Sequence, residues 1–150
     1  MAQSLAKIYV HVIFRTKNQD VLIDDDIRDE LHRYMAGILQ KWESPALTIG
    51  SVEDHVHFIC VLSRNYPIKK IVEEVKKGSS KWIKTKESIN PNFQWQNGYG
   101  AFSVSQSKVE SVKKYIENQK EHHRRESFQD EYRRFLKAYN IEFDEKYVWD

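Results

Sequence analysis

The stretch Glu53-Asp54-His55-Val56-His57-Phe58-Ile59-Cys60-Val61-Leu62 decides the fold, because it carries two patterns at once. Successive strand side chains point to opposite faces, so Val56, Phe58, Cys60 and Leu62 share one face and His55 and His57 the other. The first face is apolar and calls for a core. The second presents two imidazoles with Cα atoms about 6.6 Å apart, at roughly 3.3 Å per residue, which suits two ligands closing on one metal ion. Alone, a His-x-His pair is a weak signal, since half-buried and surface histidines share that spacing. The segment Lys114-Tyr115-Ile116-Glu117-Asn118-Gln119, about sixty residues downstream, strengthens it.

Upstream of this strand, residues 5–15 alternate. Ile8, Val10, Val12 and Phe14 form one face, and Tyr9, His11, Ile13 and Arg15 the other, which predicts a half-buried strand. Asp24 to Asp26 supply an N-cap and first-turn acids. Ile27, Leu31, Tyr34, Met35, Ile38 and Trp42 then recur at helical spacing to about Glu43. Leu47 and Ile49 mark a second strand that turns near Glu53-Asp54 into the histidine strand.

Downstream, Pro67 opens a second helix with Ile68, Ile71, Val72, Val75 and Trp82 on its apolar stripe. Gly78-Ser79-Ser80 interrupts it, predicting a bend or a close backbone approach. Residues 85–92 read as a loop. Asn97-Gly98 predicts a two-residue hairpin between 93–96 and 99–104. A third helix runs from Ser105 to about Arg125 with Val109, Val112 and Ile116 inward. Ser127, with Asp130 three residues on, starts a last helix with Tyr132, Phe135, Leu136 and Tyr139 on its apolar side. The order β-α-β-β-α-β and then helix is the split βαβ, ferredoxin-like pattern, α+β with an antiparallel sheet. Its first and third strands sit together at the centre, and both crossover helices share one face. The third helix is then free to cover His55, His57 and His11.

The totals agree with one domain. The chain has 150 residues, 31% charged, and a formal net charge of +2. No apolar run is long enough to span a membrane, and residues 1–7 lack a signal-peptide pattern. A single cysteine, Cys60, excludes an intramolecular disulfide, so a reducing cytoplasm is the expected location. Charge is uneven. Acids cluster at Asp20, Asp24, Asp25, Asp26, Asp29 and Glu30. Lys69, Lys70, Lys76, Lys77, Lys81 and Lys84 line the second helix, and Lys120, His122, His123, Arg124 and Arg125 follow the third. Such patches on a nearly neutral chain suggest a localised polyanion contact, although solvated helix faces also look this way.

Tyr115 and Gln119 are four apart and share a helix face. Gln119 offers an amide oxygen as a third ligand for a hard cation such as Mg²⁺ or Mn²⁺. Tyr115 offers a phenol. Free tyrosine titrates near pH 10, leaving about one part in a thousand as phenolate at pH 7, so its target must be polarised. A divalent ion on a phosphodiester does that. Attack by Tyr115 would give a covalent phosphotyrosine and expel a sugar hydroxyl, conserving the bond energy for rejoining.

These motifs together resemble the single-tyrosine HUH transposases of bacterial insertion sequences. The resemblance rests on Tyr9-Val10-His11-Val12-Ile13-Phe14, Asp54-His55-Val56-His57, Gly98-Tyr99-Gly100-Ala101-Phe102-Ser103-Val104, and Tyr115-Ile116-Glu117-Asn118-Gln119 followed by His122-His123. It covers nearly the whole chain. It implies a catalytic domain over 1–126 that cleaves single-stranded DNA near hairpins, leaving a 5′-phosphotyrosine and a free 3′-OH. By position, Tyr115 matches the nucleophile, His55 and His57 the metal pair, and Gln119 the third ligand. It also implies a homodimer, in which one subunit's tyrosine helix can serve the other's histidines, and no small-molecule substrate. Residues 127–150 match nothing in the pattern and read as part of the same domain or as a dimer contact.

Other residues carry weaker expectations. His11 either supports the histidine pair or packs beside the strand. Glu53 and Asp54 read as turn residues, and His122 and His123 as exposed basic residues able to reach phosphate. Lys69, Lys70, Lys76, Lys77, Lys81, Lys84, Arg124 and Arg125 are the candidate DNA contacts. Trp82, Trp95 and Tyr99 are candidates to stack on bases, with core packing favoured for Trp82. Two readings compete with the enzyme. One is an RRM-like module that holds RNA or DNA uncut, although the central strand lacks the aromatic pattern of such modules. The other is an inactive or domesticated relative that binds hairpins only.

Overall fold

The computed structural model describes residues 2–17, 23–86 and 91–150; Asp20 and loop residues 87–90 lie outside them. Strands β1 (Tyr9–Arg15), β2 (Ala46–Ser51), β3 (His55–Val61) and β4 (Gly100–Val104) form a four-stranded antiparallel sheet in the order β2-β3-β1-β4. Helix α1 (Arg28–Lys41) connects β1 to β2, and α2 (Ile68–Ile83) connects β3 to β4. This is the ferredoxin-like arrangement, with the two most apolar strands at its centre. A 3₁₀ turn at Asp25–Ile27 leads into α1, capped by the Asp24 carboxylate, which accepts from the Asp26 N–H.

One face of the sheet forms the main core. Val10, Val12 and Phe14 of β1 and Val56, Phe58 and Cys60 of β3 pack against Leu31, Met35 and Leu39 of α1 and Ile71, Val72 and Val75 of α2. Gly78 lies where a Cβ would meet Ile38 Cδ1 of α1 at 2.7 Å, so the glycine marks a close approach of the helices within an unbroken α2.

The other face is covered too, which corrects the half-buried first strand. Tyr9, His11 and Ile13 are all buried, because α3 (Val109–Glu117) and α5 (Phe128–Ala138) both lie over them. Gly50 makes the α3 contact possible. A Cβ there would stand 2.2 Å from the Ile116 carbonyl oxygen, so α3 touches the backbone of β2 directly. Gly50 is paired with His57, so this contact lays α3 beside the histidine strand.

Two further expectations change. The third helix is not continuous: α3 ends at Glu117, Asn118 leaves helical geometry, and a single turn, α4 (Gln119–His122), follows. Asn97-Gly98 is not a hairpin turn. Trp95 bridges to Thr16 and β4 pairs with the same strand β1, so 94–104 runs along one edge with a bulge. The bulge is held from outside: Lys76 Nζ donates to the carbonyls of Gln96 and Gly98, each at 2.7 Å. The tail docks on its own chain, with Phe143, Val148 and Trp149 against Phe128, Tyr132 and Leu136.

Candidate active site

The site begins with the face of β3 that carries His55 and His57, both fully buried. Burying imidazoles without partners is costly, so each nitrogen needs one. His55 Nδ1 lies 2.7 Å from Asp54 Oδ1. A carboxylate only accepts, so Nδ1 carries the proton and Nε2 keeps its lone pair. Asp54 is thus more than a turn residue; it orients His55 and is held below its ordinary carboxylate range chiefly by that hydrogen bond. His57 Nδ1 stands 2.8 Å from His11 Nε2 on the neighbouring strand, which places His11 behind the pair.

The remaining partners come from beyond α3. Glu131 of α5 is fully buried, and its Oε1 lies 2.9 Å from His57 Nε2 and 3.7 Å from His55 Nε2. Its Oε2 lies 3.3 Å from His123 Nε2 and accepts a short hydrogen bond from the Tyr115 hydroxyl. Arg134 Nη2 donates to the same hydroxyl at 2.8 Å, and Arg134 is itself held by Glu126. The Tyr115 ring is 5.9 Å from that of His57 in the same chain. His123 is therefore not the exposed basic residue expected; its Nε2 sits 2.9 Å from His55 Nε2.

His55, His57, His123 and Glu131 bring one donor atom each to within 4.8 Å of one another. Their chemistry fits a cation. His123 Nδ1 is 2.9 Å from the Glu126 carbonyl, which only accepts, so the neutral ring keeps its lone pair on Nε2. Neutral His55 and His123 would then aim two lone pairs at each other, an arrangement that needs a positive charge between them. A proton supplies it in the ion-free chain: burial opposes the charge, but the Glu131 carboxylate holds the His123 imidazole above its ordinary pKa. A divalent ion can take the same place. His57 is held at about 4, mainly by burial, and so stays neutral as a ligand must.

Gln119 is buried against this cluster, with its amide already engaged. Its Oε1 is 3.1 Å from His123 Nε2, and its Nε2 donates to the Tyr115 carbonyl. Burial and the Glu131 carboxylate push the Tyr115 phenol well above its ordinary pKa, so it stays protonated and donates. A cleft of about 520 Å³ opens beside His123 and is lined by Asp54, Lys120, Arg124 and Ser127.

Among the candidate DNA contacts, Lys69, Lys77, Lys81, Lys84, Arg124 and Arg125 are exposed. Lys70 pairs with Glu74 at 3.1 Å. Lys76 is spent on the 96–98 bulge, and burial lowers its pKa to about 8. Trp95 is buried, with its Nε1 donating to Ser79 Oγ, and Trp82 stacks on Tyr34 at 5.5 Å. Tyr99 lines a groove together with an edge of Trp95.

Sequence reading missed Glu131, and a signal for it existed. Phe128, Tyr132, Phe135 and Leu136 form the apolar stripe of α5, and Glu131 lies inside that stripe, where a carboxylate needs buried partners. His55 and His57 on the covered sheet face, with His123 and Tyr115, are those partners.

Comparison with known proteins bears on the same residues. A family model described as "Transposase IS200 like" matches residues 4–119. The fold matches a solved chain from Deinococcus radiodurans R1 described as a transposase, with 21% identity and a TM-score of 0.62, covering 79% of this chain and 98% of that one. It also matches a REP-associated tyrosine transposase solved with a REP hairpin, at 13% identity and a TM-score of 0.60, covering 82% and 73%. At these identities the structural likeness speaks for the fold alone. No curated protein matches.

Proposed function

The chain belongs to the IS200-like transposase family, and from that premise we propose that it cleaves and rejoins single-stranded DNA at hairpin-bearing ends through Tyr115. The observation that carries this is the meeting of the Tyr115 hydroxyl and the His57 imidazole on one buried carboxylate, Glu131, within a single chain. The nucleophile and the candidate cation cluster thus share one carboxylate.

In the cleavage step the Tyr115 Oη–P bond forms and the P–O3′ bond breaks, leaving a 5′-phosphotyrosine and a 3′-OH. The phenol proton has an acceptor in contact, Glu131, and the leaving oxygen takes up a proton. Arg134 lies where it offsets negative charge on the tyrosine oxygen. His55 and His57 would hold a divalent ion, Mg²⁺ or Mn²⁺, and Gln119 would support it directly or by steadying His123. When bound, the ion supplies Lewis-acid polarisation of the phosphate. Lys120 and Arg124 at the cleft beside His123 are placed to meet the DNA backbone, and the exposed lysines of α2 form a second basic surface. Because Tyr115 already faces its own chain's histidines, one chain suffices for cleavage, and a homodimer serves to bring two DNA ends together.

The test is a denaturing gel with labelled single strands from the DNA flanking the gene, with Mg²⁺ or Mn²⁺. A slow-migrating adduct forms on single strands and not on duplex, and is lost with chelator. Binding without an adduct under either metal would favour the hairpin-binding module instead.

A further inference from the structure

The family match ends at Gln119, yet two of the four groups in the donor cluster, His123 and Glu131, lie beyond it. We infer that Glu131 of α5 completes the ion site with His55, His57 and His123, that its second oxygen ties the ion to the Tyr115 hydroxyl, and that this donor set selects a borderline transition ion over Mg²⁺. The inference deepens the proposed function and rests on its placement of an ion at His55 and His57.

Geometry supports each part. Glu131 is bifunctional by position: Oε1 faces His57 and His55, while Oε2 faces His123 and Tyr115. The carboxylate is fully buried. A buried carboxylate facing three imidazoles has the partners of a metal ligand, and its bond to Tyr115 fixes the nucleophile relative to the same ion. The imidazoles are braced from behind as ligating histidines are: His55 by Asp54, His57 by His11, His123 by the Glu126 carbonyl.

The chemistry of the set decides the ion. Mg²⁺ demands oxygen donors and keeps several waters, and Mn²⁺ also suits carboxylate and water, whereas imidazole suits Zn²⁺, Ni²⁺, Cu²⁺ and Fe²⁺. Three imidazoles and one carboxylate therefore favour the second class. Gln119 supports His123 through its amide oxygen.

Cobalt titration followed by visible absorption tests this without DNA, so it can fail separately from the transposase reading. The wild-type chain is expected to bind Co²⁺ with the intense bands of a four- or five-coordinate ion, and excess Mg²⁺ is expected not to displace it. Glu131→Gln, nearly isosteric, and His123→Ala are each expected to weaken Co²⁺ binding by at least about tenfold, the lower end for losing even an outer support of a ligand. Gln119→Ala is expected to cost less than either. Unchanged affinity and spectrum in both Glu131→Gln and His123→Ala would overturn the inference, as would displacement of Co²⁺ by comparable Mg²⁺. If Glu131→Gln does not fold by circular dichroism, the wild type decides through pulsed electron paramagnetic resonance. Coupling to three imidazole nitrogens in the Cu²⁺-loaded chain supports the inference, and coupling to two overturns it.

Discussion

The two faces of strand β3 are equally buried and chemically opposite. Val56, Phe58 and Cys60 point into an apolar core beneath α1 and α2. His55 and His57 point under α3 and α5 into a cluster of imidazoles and one carboxylate. The apolar face gains from every methylene removed from water, about 25 cal/mol per Å². The polar face gains little from burial and demands that every lone pair and proton be matched. Alternation along one strand thus divides the sheet into a wholly apolar side and a side that also holds the candidate site.

That division predicts what substitutions do. The largest expected effect is on chemistry: Tyr115→Phe abolishes the covalent adduct while costing about 1.5–3 kcal/mol of stability, the scale of a hydrogen bond to a charged group, since the hydroxyl bonds both Glu131 and Arg134. Mixing Tyr115→Phe chains with His57→Ala chains restores no adduct, because each intact half already faces a damaged one in its own chain; restored adduct would show that the tyrosine serves a partner. On the opposite face, Phe58→Ala is expected to cost about 3–5 kcal/mol by denaturant unfolding, with adduct formation per folded molecule unchanged. Gly50→Ala joins the two effects. Its methyl would collide with the Ile116 carbonyl, so α3 must lift, costing about 1–3 kcal/mol and slowing the adduct by moving Tyr115 from the cluster. Smallest is Lys81→Ala, expected to leave stability within about 0.5 kcal/mol and, if Lys81 meets a phosphate, to flatten the salt dependence of DNA binding by about one unit of slope. An unchanged slope would remove Lys81 from the DNA surface.

The same contrast explains what was legible in the sequence. Periodicity reports hydrophobic demand, so the core side of β1 and β3, the stripes of α1 and α2, and the strand order were all readable. His55, His57 and Tyr115 stood out through the order and spacing of the motifs that resemble the family, since a His-x-His pair or a helical tyrosine alone is common. Coverage of the second face by the third helix was readable, but the share taken by α5 was not, since Glu131 and its neighbours come from the other end of the chain. His123 looks like one of a run of surface cations, and the break at Asn118, which turns Gln119 and His123 as a separate turn, has no proline or glycine to announce it. Asn97-Gly98 misled for a related reason. Its turn preference is local, whereas pairing of both flanks with β1 and the grip of Lys76 are tertiary. Lys76 itself read as a surface cation because charge alone does not tell a solvated ammonium from one donating to backbone carbonyls.

The central claim is that Tyr115, held on the polar face of its own sheet, becomes covalently linked to DNA. Mass spectrometry of the protease-digested protein after incubation with single-stranded flanking DNA and Mn²⁺ tests it most directly. The account predicts a nucleotide remnant on the peptide containing Tyr115, absent with chelator. A remnant on any other tyrosine, or an unmodified Tyr115 peptide alongside cleaved DNA, would contradict it.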